Sequence, residues 1–134
     1  MFNFTTTFSY GLRLLINLSL NGKEPKQLKK IADEEGISLP YLRKLILSLE
    51  KAGLVKGLRG PGGGFVLSRP PEKVSITEVI NTLSRNKVLD CVKSASACKR
   101  SKECAVKDLL EEAYIKFQSV FEDKNLANII KRGK

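Results

Sequence analysis

Apolar residues recur along the first twenty positions with the spacing of an amphipathic helix. The pattern predicts a first helix from Phe8 to Leu20, and the pair Asn21-Gly22 is typical of a helix end. The positions expected on its inner face are Leu12, Leu15, Ile16 and Ser19, with Leu14 and Leu18 beside them. This face predicts that the helix packs against a core formed by later elements.

Two more helices are predicted before residue 54. Proline suits a first helical position, so the second helix is expected to open at Pro25 and to end at Gly36. Ser38 is a good N-cap for a third helix, which Gly53 would end. The apolar stripe of this third helix has the period of a buried face and consists of Leu42, Leu45, Ile46 and Leu49.

A β-hairpin is predicted after the three helices. Two short apolar stretches, residues 54–59 and 65–68, flank the turn Gly60-Pro61-Gly62-Gly63-Gly64. Three helices followed by a hairpin is the order of a winged helix-turn-helix. The expected fold class is therefore mainly α with a small β-hairpin, and the hairpin would be the wing of a DNA-binding domain.

The chain after the hairpin begins with a break at Arg69-Pro70-Pro71. Ser75 and Glu78 have capping-box spacing and predict a fourth helix from Ile76 to Leu83. Residues 85–103 show no clear period and are expected to form a loop long enough to need a ligand or a function. The last four residues, 131–134, resemble a frayed tail.

A long helix is predicted from Cys104 to Phe121, with an apolar stripe of just over two heptads. The stripe consists of Val106, Leu110, Ala113, Phe117 and Val120, widened by Leu109, Tyr114 and Phe121. It could pack within one chain, but so wide a face on a small protein favours a dimerisation helix. The expected division is residues 1–72 as the winged helix-turn-helix domain and residues 73–134 as the sensor loop and dimerisation helix.

The net charge points to a polyanionic partner. The chain has 134 residues, with 24 Lys plus Arg against 14 Asp plus Glu, which gives +10. Nucleic acid is the usual partner of so basic a domain, although a soluble protein that is simply basic is the alternative. There is no long apolar run and no signal-peptide pattern, so we expect no membrane association and a cytoplasmic location.

The absence of histidine excludes several chemistries. Ser-His-Asp catalysis, Cys-His catalysis and His-ligated zinc are impossible within one chain. Three cysteines, Cys91, Cys98 and Cys104, lie close together in an odd number, which argues against a disulfide framework. Their spacing alone leaves two interpretations open: three independent thiols, or thiolate ligands of an iron–sulfur cluster.

Candidate DNA-binding residues fall on the third helix and the hairpin. Arginine can donate two hydrogen bonds to one guanine base. Lysine and serine side chains, and a backbone that approaches DNA closely, can bind phosphates. The candidates are Ser38, Pro40, Tyr41, Arg43 and Lys44 on the helix, and Arg59, Gly60, Gly62 and Gly63 on the hairpin. A nucleotide phosphate loop is the other interpretation of the glycines, but no Lys-Ser or Lys-Thr and no helix follow them. A nucleotide-binding enzyme subunit is therefore disfavoured.

The same segments strongly resemble one protein family. The resemblance is to the Rrf-two (Rrf2) family of bacterial winged-helix regulators, which includes proteins of the IscR, NsrR and CymR types. It extends over nearly the whole chain and is most specific at Ile37-Ser38-Leu39-Pro40-Tyr41-Leu42, at Leu54-Val55 and at Arg59-Gly60-Pro61-Gly62-Gly63-Gly64-Phe65-Val66-Leu67.

The resemblance implies a homodimeric transcription regulator, usually a repressor, that binds a palindromic operator in double-stranded DNA. Members of the IscR and NsrR types carry an iron–sulfur cluster on three cysteines before the dimerisation helix, and Cys91, Cys98 and Cys104 lie at those positions. The expected cofactor is a [2Fe-2S] cluster. Members of the CymR type lack a cluster and sense through a partner enzyme, so a metal-free thiol or partner sensor is the alternative.

This sequence departs from the family pattern at three positions. Lys107 stands where IscR-like proteins have a histidine ligand, and about Ser9 stands where NsrR-like proteins have an aspartate ligand from the other subunit. The fourth cluster ligand is therefore unassigned. Arg43 replaces an acidic residue of the IscR-like recognition helix, so the operator cannot be carried over from those proteins.

Overall fold

Six helices and one hairpin make up the described part of the chain. The computed structural model describes residues 2–83 and 105–132, and the side chains of residues 6–83 and 106–132. The elements in chain order are α1 (Phe2–Leu20), α2 (Leu28–Glu35), α3 (Leu39–Lys51), β1 (Val55–Leu58), β2 (Gly64–Leu67), a 3-10 turn (Pro71–Lys73), α4 (Ile76–Leu83), α5 (Ala105–Phe121) and α6 (Leu126–Arg132). The expected mainly helical fold with one hairpin is confirmed.

Helix α1 crosses the core, and the predicted inner face was wrong by about one position. The buried residues are Gly11, Leu14, Leu15, Asn17 and Leu18, whereas Leu12 and Ile16 are only half-buried. Because this helix is apolar on nearly every side, its period does not define one face, and the contacts of other elements decide. A Cβ at Gly11 would lie 2.2 Å from Leu83 Cδ1, so α4 approaches α1 closely there.

Helix α2 begins three residues later than predicted. Pro25 is not its first residue, because Lys26 forms an antiparallel bridge with Phe65 of β2 and the helix starts at Leu28. Gly36 ends the helix as expected, with a left-handed φ of 65°. A proline suits an extended segment as well as a helix start, and local sequence alone does not reveal a pairing with a distant strand.

Helix α3 follows the prediction closely. The Ser38 side chain accepts a hydrogen bond from the Tyr41 amide at 3.4 Å, which is an N-cap. The expected core residues Leu42, Leu45, Ile46 and Leu49 are all buried. This burial turns the opposite face of α3 towards solvent.

The wing, which we define as β1, its turn and β2, is a two-stranded antiparallel sheet. Val55 pairs with Leu67, and Leu58 pairs with Gly64 beside the turn. At its base the Ser68 amide donates to the Leu54 carbonyl at 3.1 Å. The predicted hairpin is therefore confirmed, with Gly60 to Gly63 forming its tip.

The chain end returns to the core through a helix that the sequence did not predict. Residues 131 and 132 belong to α6, not to a frayed tail, and Leu126 at the start of α6 is fully buried. The Leu126 amide donates to the Val74 carbonyl at 2.9 Å. With seven residues, α6 is too short to give a clear apolar period.

The start of α4 differs in detail from the expected capping box. The Glu78 carboxylate accepts two hydrogen bonds from Arg69, at 2.9 and 2.7 Å. Val74, which precedes this helix, and Val79, which lies within it, are both buried. Helix α4 packs on α1 and α3. The division at residues 72 and 73 stays a prediction, and the expected loop at 85–103 lies outside the described residues.

Candidate nucleic-acid interface

Two exposed cations lie on the outer face of α3. Burial of Leu42 and Leu45 on the inner side places Arg43 and Lys44, which lie between them, in solvent. Among the residues that the structure describes, neither cation has an ion-pair partner. Free cations on a helix of this width can enter a major groove and bind bases or phosphates.

Leu47 lies beside these cations and was missed by the sequence analysis. It is three residues after Lys44 and four after Arg43, so it shares their face, and its side chain is 60% exposed. The helical period could have identified it, but apolar residues were assigned to the core only. An exposed leucine there offers an apolar surface next to the two charges.

Two of the predicted contact residues also have structural roles. Ser38 caps α3, as described above. The Tyr41 hydroxyl and the Thr7 hydroxyl share a hydrogen bond of 2.7 Å, and the Tyr41 ring stands edge-on to Tyr10 at 5.5 Å. Tyr41 is half-buried against α1 as a result, whereas Pro40 is exposed.

The wing tip presents Arg59 in solvent at the end of β1. Gly60 and Gly62 have φ values of 94° and 76°, which side-chain-bearing residues rarely adopt. A Cβ at Gly63 would lie 2.3 Å from the Leu58 carbonyl oxygen. The turn itself therefore requires these glycines, and its bare backbone leaves Arg59 as the charged group at the tip.

A second set of charges is paired inside the helix-turn-helix. We call this set the Lys26 network; it consists of Arg13, Asn17, Lys26, Glu34 and Glu35. Its hydrogen bonds and ion pairs join α1 to α2 and to the segment before α2. The Lys26 ammonium and, next, the Asn17 amide lower the pKa of Glu34 below its ordinary value of 4.5. No local sequence pattern predicts this network, because its members come from separate segments of the chain.

The three cysteines proposed as cluster ligands lie outside the described residues. Within residues 2–83 and 105–132, the structure brings together no group of three metal-ligating side chains. Of the two positions where the family ligands are replaced, Ser9 is exposed on α1 and Lys107 is half-buried in the first turn of α5. Neither Ser9 nor Lys107 lies in a group of metal-ligating side chains within the described residues.

Helix α5 carries an exposed apolar face. Val106, Leu109 and Val120 are 56%, 65% and 54% exposed. Ile115, which the predicted stripe omitted, is exposed as well. Next to Val120, the Phe121 ring turns inwards and stands edge-on to Phe8 of α1 at 5.8 Å.

No helix in the described ranges combines the length and the apolar character needed to cross a membrane.

Comparison with known proteins identifies relatives along the full chain. A family model described as "Rrf2: Iron-dependent Transcriptional regulator" matches residues 4–132. An HTH-type transcriptional regulator of Haemophilus influenzae is 32% identical over 130 residues, which cover 96% of this chain and 86% of that protein.

Two solved structures have the same fold. IscR of T. potens has a TM-score of 0.75 at 30% identity, covering 96% of this chain and 86% of its own. CymR, the global cysteine regulator of B. subtilis, has a TM-score of 0.73 at 28% identity, and the match covers 95% of each chain. The expected winged-helix architecture is thus confirmed.

Proposed function

Because this chain belongs to the Rrf2 family of transcriptional regulators, we propose that it is a dimeric repressor that binds a palindromic operator and senses redox or iron–sulfur status. The family assignment also confirms the expectation of a regulator and not an enzyme. The observation that carries the DNA-binding proposal is the exposed face of α3, where Arg43 and Lys44 are unpaired within the described residues.

In this proposal α3 is the recognition helix and enters the major groove. Arg43 reads a base edge, Lys44 binds a phosphate, and Pro40 lies at the groove floor near the helix start. Arg59 and the wing backbone at Gly60, Gly62 and Gly63 contact the adjacent backbone or minor groove. Ser38 and Tyr41 act mainly by holding the start of α3 in place.

DNA binding is tested with a duplex that the wild-type protein selects from a random-sequence pool. Binding should weaken steeply with salt, since each neutralised phosphate contributes about −0.9 to the slope of log affinity against log salt concentration. Selection of a duplex with two inverted half-sites supports a dimer on a palindrome. Failure to enrich any sequence, or binding that does not depend on salt, contradicts the proposal.

The exposed face of α5 supports the dimer. A two-fold symmetric contact would remove Val106, Leu109 and Val120 from water, and each large apolar side chain contributes about 1.5–3 kcal/mol when fully buried. Two recognition helices would then be held at a fixed spacing, which a palindromic operator requires.

For the sensor we propose that Cys91, Cys98 and Cys104 hold one [2Fe-2S] cluster per subunit. The donor set fits, since thiolates are the usual ligands of such clusters. Cys104 directly precedes Ala105, the first residue of α5, and a helix start favours negative charge. A cluster bound by these three cysteines would be able to change its oxidation state or to offer an iron atom with an exchangeable ligand. The family description names iron dependence, which is in accord with this assignment.

Cys→Ala variants at the three positions test the cluster. Wild-type protein reconstituted anaerobically with iron and sulfide should gain the visible absorption of a cluster, with about two irons and two sulfides per subunit. Each Cys→Ala variant should lose both the absorption and the iron. A wild type that takes up no iron, or three variants that all retain it, contradicts the cluster.

A metal-free sensor is the second candidate, favoured by the structural likeness to CymR. In that case the cysteines respond by thiol oxidation, or a partner protein binds the regulator. An apo protein whose DNA affinity changes on mild oxidation, without iron, would support this candidate over the cluster.

A further inference from the structure

One lysine of the helix-turn-helix is held inside the protein. The Lys26 ammonium donates to Asn17 Oδ1 at 2.6 Å and pairs with Glu34 Oε2 at 2.5 Å. Its side chain is only 11% exposed. The backbone of the same residue pairs with the wing: the Lys26 amide donates to the Phe65 carbonyl at 3.0 Å, and the Phe65 amide donates back at 2.9 Å. Lys26 therefore joins β2 to both α1 and α2.

The wing needs such a connection because it is intrinsically weak. Each of its strands has four residues, and an isolated two-stranded hairpin is marginally stable at best in water. Three glycines in its turn, Gly60, Gly62 and Gly63, add conformational freedom. The close approach of Lys26 is specific, since a Cβ at Gly64 would lie 2.5 Å from the Lys26 carbonyl oxygen.

The charges of the Lys26 network are balanced internally. Two cations, Arg13 and Lys26, meet two carboxylates, Glu34 and Glu35. Asn17, only 8% exposed, donates to both carboxylates at 3.0 and 2.8 Å. An ammonium with these partners is not available to a phosphate, in contrast to Arg43 and Lys44.

We propose that Lys26, held by Asn17 and Glu34, is a positioning residue for DNA binding. It fixes the wing relative to α2, and through the shared core relative to α3, so that Arg59 and Arg43 reach DNA together. This role rests on the proposed DNA-binding function. The contacts of Lys26 with Asn17, Glu34 and Phe65, which we call the clamp, exist without DNA and can be measured in its absence.

Hydrogen exchange in DNA-free protein tests the clamp. Lys26→Met removes the ammonium, and Glu34→Gln weakens its ion pair at constant size. Both should raise exchange of the Phe65 amide by about tenfold or more, while the Leu54 amide, bonded to Leu49, stays protected. The matched controls are Lys23→Met and Asp33→Asn, which remove the same charges from exposed neighbours and should leave Phe65 unchanged. Unchanged exchange at Phe65 in both clamp variants overturns the clamp.

Binding to the selected duplex tests the positioning role. Lys26→Met should lower affinity about tenfold, and in an Arg59→Ala background the further loss should fall below about twofold, because the wing contact is already gone. In the Arg59→Ala background, Lys26→Met should leave the salt slope unchanged. A further decrease of about 0.9 in that background would identify Lys26 as a phosphate contact of its own, and losses that simply add would identify a general stability effect. Either result overturns the positioning role.

Together, the hydrogen-exchange and DNA-binding experiments distinguish a failure of the DNA-binding function from a failure of the positioning role. A wild type that selects no duplex overturns the DNA-binding function and with it the role of Lys26 at DNA. Faster exchange at Phe65 without any loss of affinity leaves DNA binding intact and overturns the positioning role alone.

Discussion

Cations of this protein divide into two groups by what surrounds them. Arg43, Lys44 and Arg59 are exposed without an ion-pair partner in the described ranges, whereas Arg13 and Lys26 are paired with carboxylates. The first group could be predicted from its place on a helix face and at a hairpin. The second could not, because its partners come from other elements, as does the Thr7 partner of Tyr41, 34 residues away.

Replacing Arg43 should affect specificity more than replacing Arg59. Arg43→Ala should cost about 1–3 kcal/mol on the selected duplex and relax the base preference at one position in each half-site. Arg59→Ala should weaken binding more evenly across sequences, since it reads shape or phosphate. Titrations against single-base variants of the duplex measure both effects. An Arg43→Ala protein with unchanged preferences would contradict base reading by Arg43.

Acid should weaken the Lys26 network through Glu34. Its pKa is lowered in the folded protein, so its stabilising effect is fully present above about pH 4.5 and is lost as the pH falls through the lowered value. Urea midpoints of wild type and Glu34→Gln should therefore differ at pH 7 and converge towards pH 3. Asp33→Asn, at the exposed neighbouring position, is the control. A difference that persists at pH 3 would contradict the ionic origin.

Elements were predictable where a local signal decides them. Ser38, Gly36 and the hairpin glycines marked the ends of α2, α3 and the wing, because caps and turns depend on one or two residues. The inner face of α1 was not predictable, since Leu83 and its neighbours on α4 select that face from a helix that is apolar on most sides. Pro25 was misassigned because the Lys26–Phe65 pairing is non-local.

The unpredicted α6 should contribute substantially to stability. Leu126→Ala should lower the free energy of unfolding by about 2–5 kcal/mol, because this fully buried side chain would leave a cavity. Leu20→Ala, the same substitution at a residue that is 65% exposed, should change it by less than about 0.5 kcal/mol. Denaturant unfolding of the two variants gives the comparison. Equal effects would show that α6 is not part of the cooperative core.

The whole molecule is expected to be a dimer, and the exposed face of α5 provides a clean test. Val120→Lys places a charge on this face, and a cation near a helix C-terminus does not oppose the helix dipole. The variant should sediment as a monomer and lose operator binding. Ser119→Lys, at the adjacent exposed position off the apolar stripe, should remain dimeric. A wild type that is monomeric at micromolar concentration contradicts the dimer.

Mechanically, α5 is an arm anchored at one end to the DNA-binding core. Its 17 residues span about 25 Å, and near its C-terminus the Lys124 carbonyl accepts a hydrogen bond from the Ile76 amide at 3.1 Å. A rotation of about 10° about that end would carry Ala105 through about 4 Å. In the proposed dimer the half-sites would lie about 34 Å apart, so tilting both arms would change the spacing of the two recognition helices by several ångströms.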